Sequence, residues 1–213
     1  MRVGVIGSGV VGETLANGFL KHGHEVMRGS RTPEKLSAWA TSGGERASVG
    51  TFAVTAVYGD VVVLAVKGAA AEEAVAACGD ALAGKVVIDT TNPIDERPPE
   101  AGVLHFFTEH GRSLLERLQS AAPEAKFVKA FSCVGNAVMV DPQFKGGRPT
   151  MFICGNDARA KQTVSEILDD FGWDVADMGG AAAARAIEPL CMLWCIPGFL
   201  NQEWTHAFKL LRS

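Results

Sequence analysis

The sequence predicts a doubly wound α/β fold, a mostly parallel sheet with helices on both faces and a helical segment at the C-terminal end. Three observations predict it. The chain opens on a short apolar run, Val3 to Ile6, then a glycine-rich turn, then helix-forming sequence from Glu13 to Leu20. Further on, Val61-Val62-Val63-Leu64-Ala65-Val66 is apolar at every position, as in a strand buried on both faces of a parallel sheet. Strand-like and helix-like stretches alternate around these, which selects parallel pairing through helical crossovers.

The opening turn is Gly7-Ser8-Gly9-Val10-Val11-Gly12. Between a strand and a helix, G-x-G-x-x-G is the Rossmann-type dinucleotide fingerprint. Gly7 permits the tight turn, Gly9 lets the backbone approach a pyrophosphate, and Gly12 lets the helix pack on the strand. The N–H groups that open the helix, with its dipole, then face the diphosphate. A glycine-rich turn with no ligand is the plainer reading of the same residues.

A second strand enters through Gly23 and runs to Gly29. An acidic residue at its end would hold a ribose 2′-hydroxyl. The chain has Ser30-Arg31-Thr32-Pro33-Glu34-Lys35 instead. Arg31 offers a bidentate fork for a phosphate, and Ser30 adds a hydroxyl. Thr32 as N-cap and Pro33 at the first helical position predict a helix, placing a second dipole behind that phosphate. The pattern points to NADP(H) rather than NAD(H), with Lys35 close by; a solvated basic turn is the alternative.

A helix over Glu34 to Ala40, a third strand near Ala47 to Val49 and a short helix from Thr51 lead to the apolar strand ending at Val66. Lys67 follows it, at the carboxyl edge where such sheets bind ligands; a solvated lysine is its ordinary role. An alanine-rich helix, Ala69 to Leu82, and a strand, Lys85 to Asp89, reach Thr90-Thr91-Asn92-Pro93. From Glu96 to His110 the pattern lapses. A long irregular segment in a small domain is usually functional or mobile, so this one reads as a candidate lid. His105 and His110 within it are candidate proton donors, although surface histidines are commonplace. A helix, Ser113 to Ala121, and a strand, Phe127 to Phe131, follow. The remainder reads strand (150–154), helix (157–171), strand (173–176), an alanine-rich helix to Ile187 and an aromatic closing segment, Pro189 to Leu211. No linker divides the chain, so residues 1–213 are expected to form one domain, with 181–213 as its helical end.

The composition, 47% apolar and 21% charged, is that of a soluble globular protein. A net charge of -4 argues against a nucleic-acid partner. The five cysteines, without a C-x-x-C, favour a reducing compartment. Cys191 and Cys195 share a helix face but lack further partners for a metal. The opening residues enter a strand directly, which leaves no signal peptide. Leu190 to Leu200, broken by Pro197 and Gly198, is short for a bilayer. The expectation is a cytoplasmic protein with no membrane partner.

Taken together, the chain resembles the NADPH:coenzyme F420 oxidoreductase family, whose Rossmann domain also occurs in metalloreductases. The resemblance is carried by Gly7-Ser8-Gly9-Val10-Val11-Gly12, Gly29-Ser30-Arg31, Thr91-Asn92-Pro93, Val128-Lys129-Ala130-Phe131, Gly155-Asn156-Asp157 and Ala184 to Leu190. It implies hydride transfer between NADP(H) and a deazaflavin. Ser30 and Arg31 would hold the 2′-phosphate and Asn92-Pro93 would border the nicotinamide, with Val66, Lys67, Ala130 and Ser132 around the same ring. Many relatives have an asparagine where Ser132 stands; Asn136 is the nearest amide that could replace it. Little chain remains for a separate substrate domain, so a planar acceptor such as coenzyme F420, a flavin or a quinone, stacked on the nicotinamide, suits the architecture. A ferric chelate or an imine, or an NADPH-binding protein without turnover, stay open, and no residue is named as catalytic. The apolar segment from Leu190 to Phe208 could roof the substrate pocket or fill the core, and a homodimer interface is the favoured expectation.

Overall fold

In the computed structural model, which describes residues 1–109 and 111–212, six strands pair in parallel: β1 (Arg2–Ile6), β2 (Glu25–Gly29), β3 (Ala47–Gly50), β4 (Val61–Leu64), β5 (Val86–Asp89) and β6 (Lys126–Lys129). Their order is β3-β2-β1-β4-β5-β6. Val3 lies opposite Val26 on one side and Val61 on the other. The order therefore turns back between β1 and β4, and a crevice opens at their carboxyl ends.

Alternation sorts the core into two layers. Val3, Val5, Val61, Val63, Ile88 and Val128 face one side, beneath α1 (Val10–Lys21) and α2 (Ser37–Gly43). Ile6, Val62, Leu64, Val87 and Phe127 face the other, beneath α3 (Phe52–Tyr58), α4 (Ala71–Cys78) and α5 (Leu114–Ala121). The helix α6 (Ala158–Asp170) joins the first layer and connects β7 (Thr150–Ile153) to β8 (Asp174–Asp177), a parallel pair of their own. One antiparallel bridge, Lys129 to Cys154, ties this pair to β6. Helix starts follow the sequence signals: Asp157 Oδ1 accepts from Ala160 N at 2.8 Å, and Ser113 and Glu116 form a capping box on α5.

The segment after Pro93 differs from the expected loose lid. Phe107 N donates to Pro93 O at 2.9 Å and Asp95 N to His105 O at 2.8 Å, so it folds into an antiparallel arm. The arm turns over at Glu100 and Val103, which bond each other. It lies along the closing helix, where Leu104 is buried with Cys191, Trp194 and Cys195. His105 faces Glu100 at 3.5 Å. His110 lies outside the described residues.

The closing helix is also longer than the apolar run suggested. A 3₁₀ turn at Ala181–Ala183, α7 (Ala184–Ile187) and α8 (Pro189–Asn201) run on without a break, because Pro189 enters at a first helical position. The resulting 21-residue helix, whose most apolar 18-residue window has a mean hydropathy of 1.3, is long and apolar enough to cross a membrane by length and composition. Its Glu188, 2% exposed, is engaged by charges from the sheet. The helix stops at Asn201, short of the helical end expected at 213. Gln202 takes a left-handed conformation (φ 61) and the chain turns back, laying Trp204 on Gly198. Trp194 Nε1 donates to His206 O at 2.8 Å, and Thr150 N donates to Phe208 O at 2.8 Å, so the tail edges β7.

The α5 cap gives a pH-dependent test. Arg185 bonds to Glu116, at 2.9 and 2.6 Å, pull its carboxyl from the ordinary 4.5 to about 2, against the opposing effect of burial. A depressed folded value stabilises above the unfolded value, and that stability is lost as pH falls from 4.5 towards 2. Glu116→Gln should cost about 1 kcal/mol at neutral pH and flatten the loss of Tm over that acid range. An unchanged acid slope in thermal unfolding would contradict this.

Candidate functional site

The crevice is built from the turn after β1. Gly7 has φ 142, and a Cβ there would lie 2.2 Å from the Ala65 carbonyl, so the turn backs directly onto the end of β4. A Cβ at Gly12 would lie 2.6 Å from the Gly7 carbonyl, which is the close helix-to-strand packing. At Gly9 an added Cβ meets nothing within 4 Å. That residue is exposed and faces open space. The first intrahelical bond of α1 runs from Glu13 N to Gly9 O at 3.0 Å. The N–H groups of Val10, Val11 and Gly12 precede it and have no acceptor in the helix. Together these features fit a diphosphate approaching backbone donors.

The same crevice, about 360 Å³, is lined by Gly7, Ser8 and Gly9, by Ser30, Arg31, Thr32 and Lys35, and by Val66 and Lys67. Arg31, Lys35 and Lys67 are exposed, and among the described residues none of them makes a side-chain hydrogen bond or ion pair. Three cations without protein partners around one cleft suit a polyanionic ligand. The helix expected behind Arg31 is a correction. Thr32 makes no side-chain cap, its N–H instead donating to Ser30 Oγ at 3.1 Å, and Pro33–Leu36 forms a 3₁₀ turn before α2. With φ -133 and ψ 83, Thr32 does not cap this stretch with its side chain, and the α-helical part begins only at Ser37.

Sequence reasoning missed Phe52, Ala70, Glu73 and Ala74 on the far wall, where only topology brings α3 and α4 to the cleft. It also missed Arg28, whose side chain is fully buried. Arg28 donates to Glu13 Oε2 at 3.1 Å and Gly9 O at 3.4 Å, with its guanidinium 5.0 Å from the Trp39 ring centre. Burial lowers its pKa, with Glu13 opposing. A lone arginine inside an apolar strand was the available signal.

Asn92, Pro93, Ala130 and Ser132 do not line this cleft. They sit beyond it, at the ends of β5 and β6, and Gly68 links the two regions: a Cβ there would lie 1.9 Å from the Asn92 carbonyl. Ala130 is fully buried, its N–H bonded to Asp89 O at 3.0 Å, and Pro93 is buried with its carbonyl taken by Phe107. Asn92 Nδ2 donates to Ser132 O at 2.7 Å. The amide beside the end of β6 is thus Asn92's, while the Asn136 side chain makes no hydrogen bond among the described residues. Asn92 Oδ1 and Ser132 Oγ are buried without partners. Buried polar atoms rarely stay unpaired, so this edge also fits a ligand with a hydrogen-bonding rim.

Behind Asn92 lies a charge network that the sequence did not disclose. Lys129 Nζ, fully buried, is 2.7 Å from Asp89 Oδ2, 2.9 Å from Glu188 Oε1 and 2.8 Å from Thr91 O. Burial would lower this lysine, but the two carboxylates outweigh it and raise its pKa. Burial pushes the thiols of Cys133 and Cys154 up to about 12 and that of Cys78 to about 11, which keeps these three protonated.

Fold and crevice together are those of a Rossmann-class dinucleotide-binding protein, and its family is one of NADP-dependent oxidoreductases. The chain belongs to the coenzyme F420-dependent NADP oxidoreductase family. The family model, NADP oxidoreductase coenzyme F420-dependent, matches residues 2–93. A crystal structure from Arthrobacter sp. FB24, of a protein provisionally assigned as an F420-dependent NADP-reductase, superposes with a TM-score of 0.92 at 34% identity, each chain covered over 100%. Rat (Rattus norvegicus) metalloreductase STEAP3 is 32% identical over 93% of this chain, which spans 39% of that relative's length. An imine reductase from Streptomyces aurantiacus shares the fold alone, at TM-score 0.69 and 18% identity, over 94% of this chain and 64% of the other.

The space at Gly9 yields a test. Gly9→Val should keep the fold, since its φ of -79 is ordinary and nothing obstructs the side chain. It should abolish NADP binding by occupying the diphosphate position. Circular dichroism and calorimetry check both halves; undiminished affinity would contradict the assignment.

Proposed function

We propose that this chain transfers hydride between NADP(H) and a planar acceptor of the coenzyme F420 type. The single observation that carries the reading is the cleft beside Gly9, where free helix N–H groups meet unpaired Arg31, Lys35 and Lys67. When bound, NADPH supplies the hydride from its dihydronicotinamide ring. The amides of Val10, Val11 and Gly12 would hold the diphosphate, and Ser30, Arg31 and Lys35 the 2′-phosphate. Asn92 Oδ1 and Ser132 Oγ, buried and unpaired, would receive the amide edge of the ring. Arg28 keeps the turn in place through the Gly9 carbonyl.

The acceptor needs only to be held flat at near-attack distance. His105 is turned towards Glu100 on the arm, away from the cleft lining, and is given no part in the step. The family and the Arthrobacter relative support coenzyme F420. A ferric chelate is the second reading, favoured by similarity to STEAP3 along 93% of the chain. Two copies are proposed to meet through exposed apolar residues of α8, Leu193 (55% exposed) and Leu200 (59%). Five buried free thiols support a cytoplasmic setting.

Arg31→Ala should weaken NADPH binding by roughly tenfold to a hundredfold, as expected for hydrogen bonds to a charged group worth ~1.5–3 kcal/mol, and leave NADH affinity nearly unchanged. Equal loss for both would remove the 2′-phosphate role. Mixing the protein and NADPH with coenzyme F420, FMN, a quinone, ferric citrate and a cyclic imine separates the acceptors. Reduction of F420 supports the first reading and reduction of ferric citrate alone the second. Tight binding without any oxidation would overturn both.

A further inference from the structure

We infer that Lys129, with Asp89 and Glu188, is a positioning residue for the ring end of the cofactor site, acting through Thr91. The inference rests on the NADPH reading above and concerns residues that do not line the cleft beside Gly9.

Every polar group of Thr91 is committed to this network. Its N–H and its hydroxyl both donate to Asp89 Oδ1, at 2.9 and 2.7 Å. Its carbonyl accepts from Lys129 Nζ at 2.8 Å. The lysine's two other close contacts are ion pairs, with Asp89 Oδ2 at 2.7 Å and Glu188 Oε1 at 2.9 Å, so one ammonium faces two carboxylates and the Thr91 carbonyl. Glu188 is anchored in turn, accepting from Leu114 N and Leu115 N at 3.0 Å each, which fixes it to the start of α5. Thr90, one residue earlier, bonds to Leu64 O with both its N–H and its hydroxyl. The chain therefore emerges at Asn92 directly after a residue whose N–H, hydroxyl and carbonyl are all bonded. Asn92 carries the unpaired Oδ1, donates to Ser132 O and abuts Gly68 at the lip of the cleft.

Stability does not require this arrangement. Taking three ionised groups out of water costs about as much as their attraction returns, and well-packed apolar residues commonly serve as well or better. What the charges supply, and apolar residues would not, is direction. They fix one residue by donor, hydroxyl and carbonyl at once, and with it the atoms facing the nicotinamide. The strain next door agrees with this. Phe131, at φ 60, holds an unfavourable conformation for a non-glycine residue, and it is the residue that delivers the Ser132 carbonyl to Asn92.

The test compares two ligands on the full chain by calorimetry: 2′,5′-ADP, which has the adenosine and 2′-phosphate but no nicotinamide, and NADPH, whose bound-state fluorescence is also read. Thr91→Val removes only the hydroxyl bond and keeps the shape; Lys129→Met removes the ammonium. Both variants should bind 2′,5′-ADP within about twofold of the unaltered protein, and the affinity advantage of NADPH over 2′,5′-ADP should fall by roughly tenfold, with the bound-ring emission reverting towards that in water, because small misplacements are costly at a reacting centre. Thr91→Val decides the matter if Lys129→Met does not fold. Parallel loss of both ligands, or unchanged NADPH advantage and emission in Thr91→Val, overturns the inference while leaving the functional reading intact. An unaltered protein that binds neither ligand removes the functional reading and this inference with it.

Discussion

The contact between Gly7 and the Ala65 carbonyl is the constraint on which the site depends. It brings the ends of β1 and β4 so close that no side chain fits between them. The chain must then leave β1 through a turn only glycine adopts and start α1 directly above the sheet edge. Gly12 repeats the demand one turn later, against the Gly7 carbonyl. Backbone donors thereby come to the rim of the crevice at the switch in strand order, where an anion can reach them. Arg28 holds the arrangement from below, with its charge offset by Glu13 and its plane against Trp39.

A second constraint joins the late part of the chain to this edge. The end of β6, the end of β5 and the middle of the closing helix contribute one charge each to a site with no water access. The helix Ala181–Asn201 is thus locked to the sheet by Glu188, whatever its hydropathy would otherwise permit. Its Cys191, Trp194 and Cys195 pack against Leu104 of the antiparallel arm, and the tail beyond it returns along β7. Leu193 and Leu200 of this helix stay exposed.

What was legible in the sequence was local. Strand periodicity, the glycine spacing, the Ser113 and Asp157 starts and the absence of an acid after β2 each depend on neighbours a few residues away, and those elements stand where the pattern put them. What was not legible depends on partners far apart in the chain. The arm at 93–107 looked irregular because its order comes from cross-strand bonds and from packing on α8, neither of which has a local pattern. Lys129 read as an ordinary strand residue until Asp89 and Glu188 were seen on either side of it. Thr32 had the composition of a cap and the wrong backbone for one, since Ser30 takes its N–H. The helical end stopped at Asn201 because Trp204 finds a bed on Gly198, a contact that composition does not announce.

The most direct test of the account is a crystal structure of the protein with NADP+. The account predicts the diphosphate over Gly9 against the amides of Val10 and Val11, the 2′-phosphate between Ser30 and Arg31, and the nicotinamide carboxamide beside Asn92 Oδ1 and Ser132 Oγ. A dinucleotide bound elsewhere, or bound here with its 2′-phosphate turned away from Arg31, would contradict it.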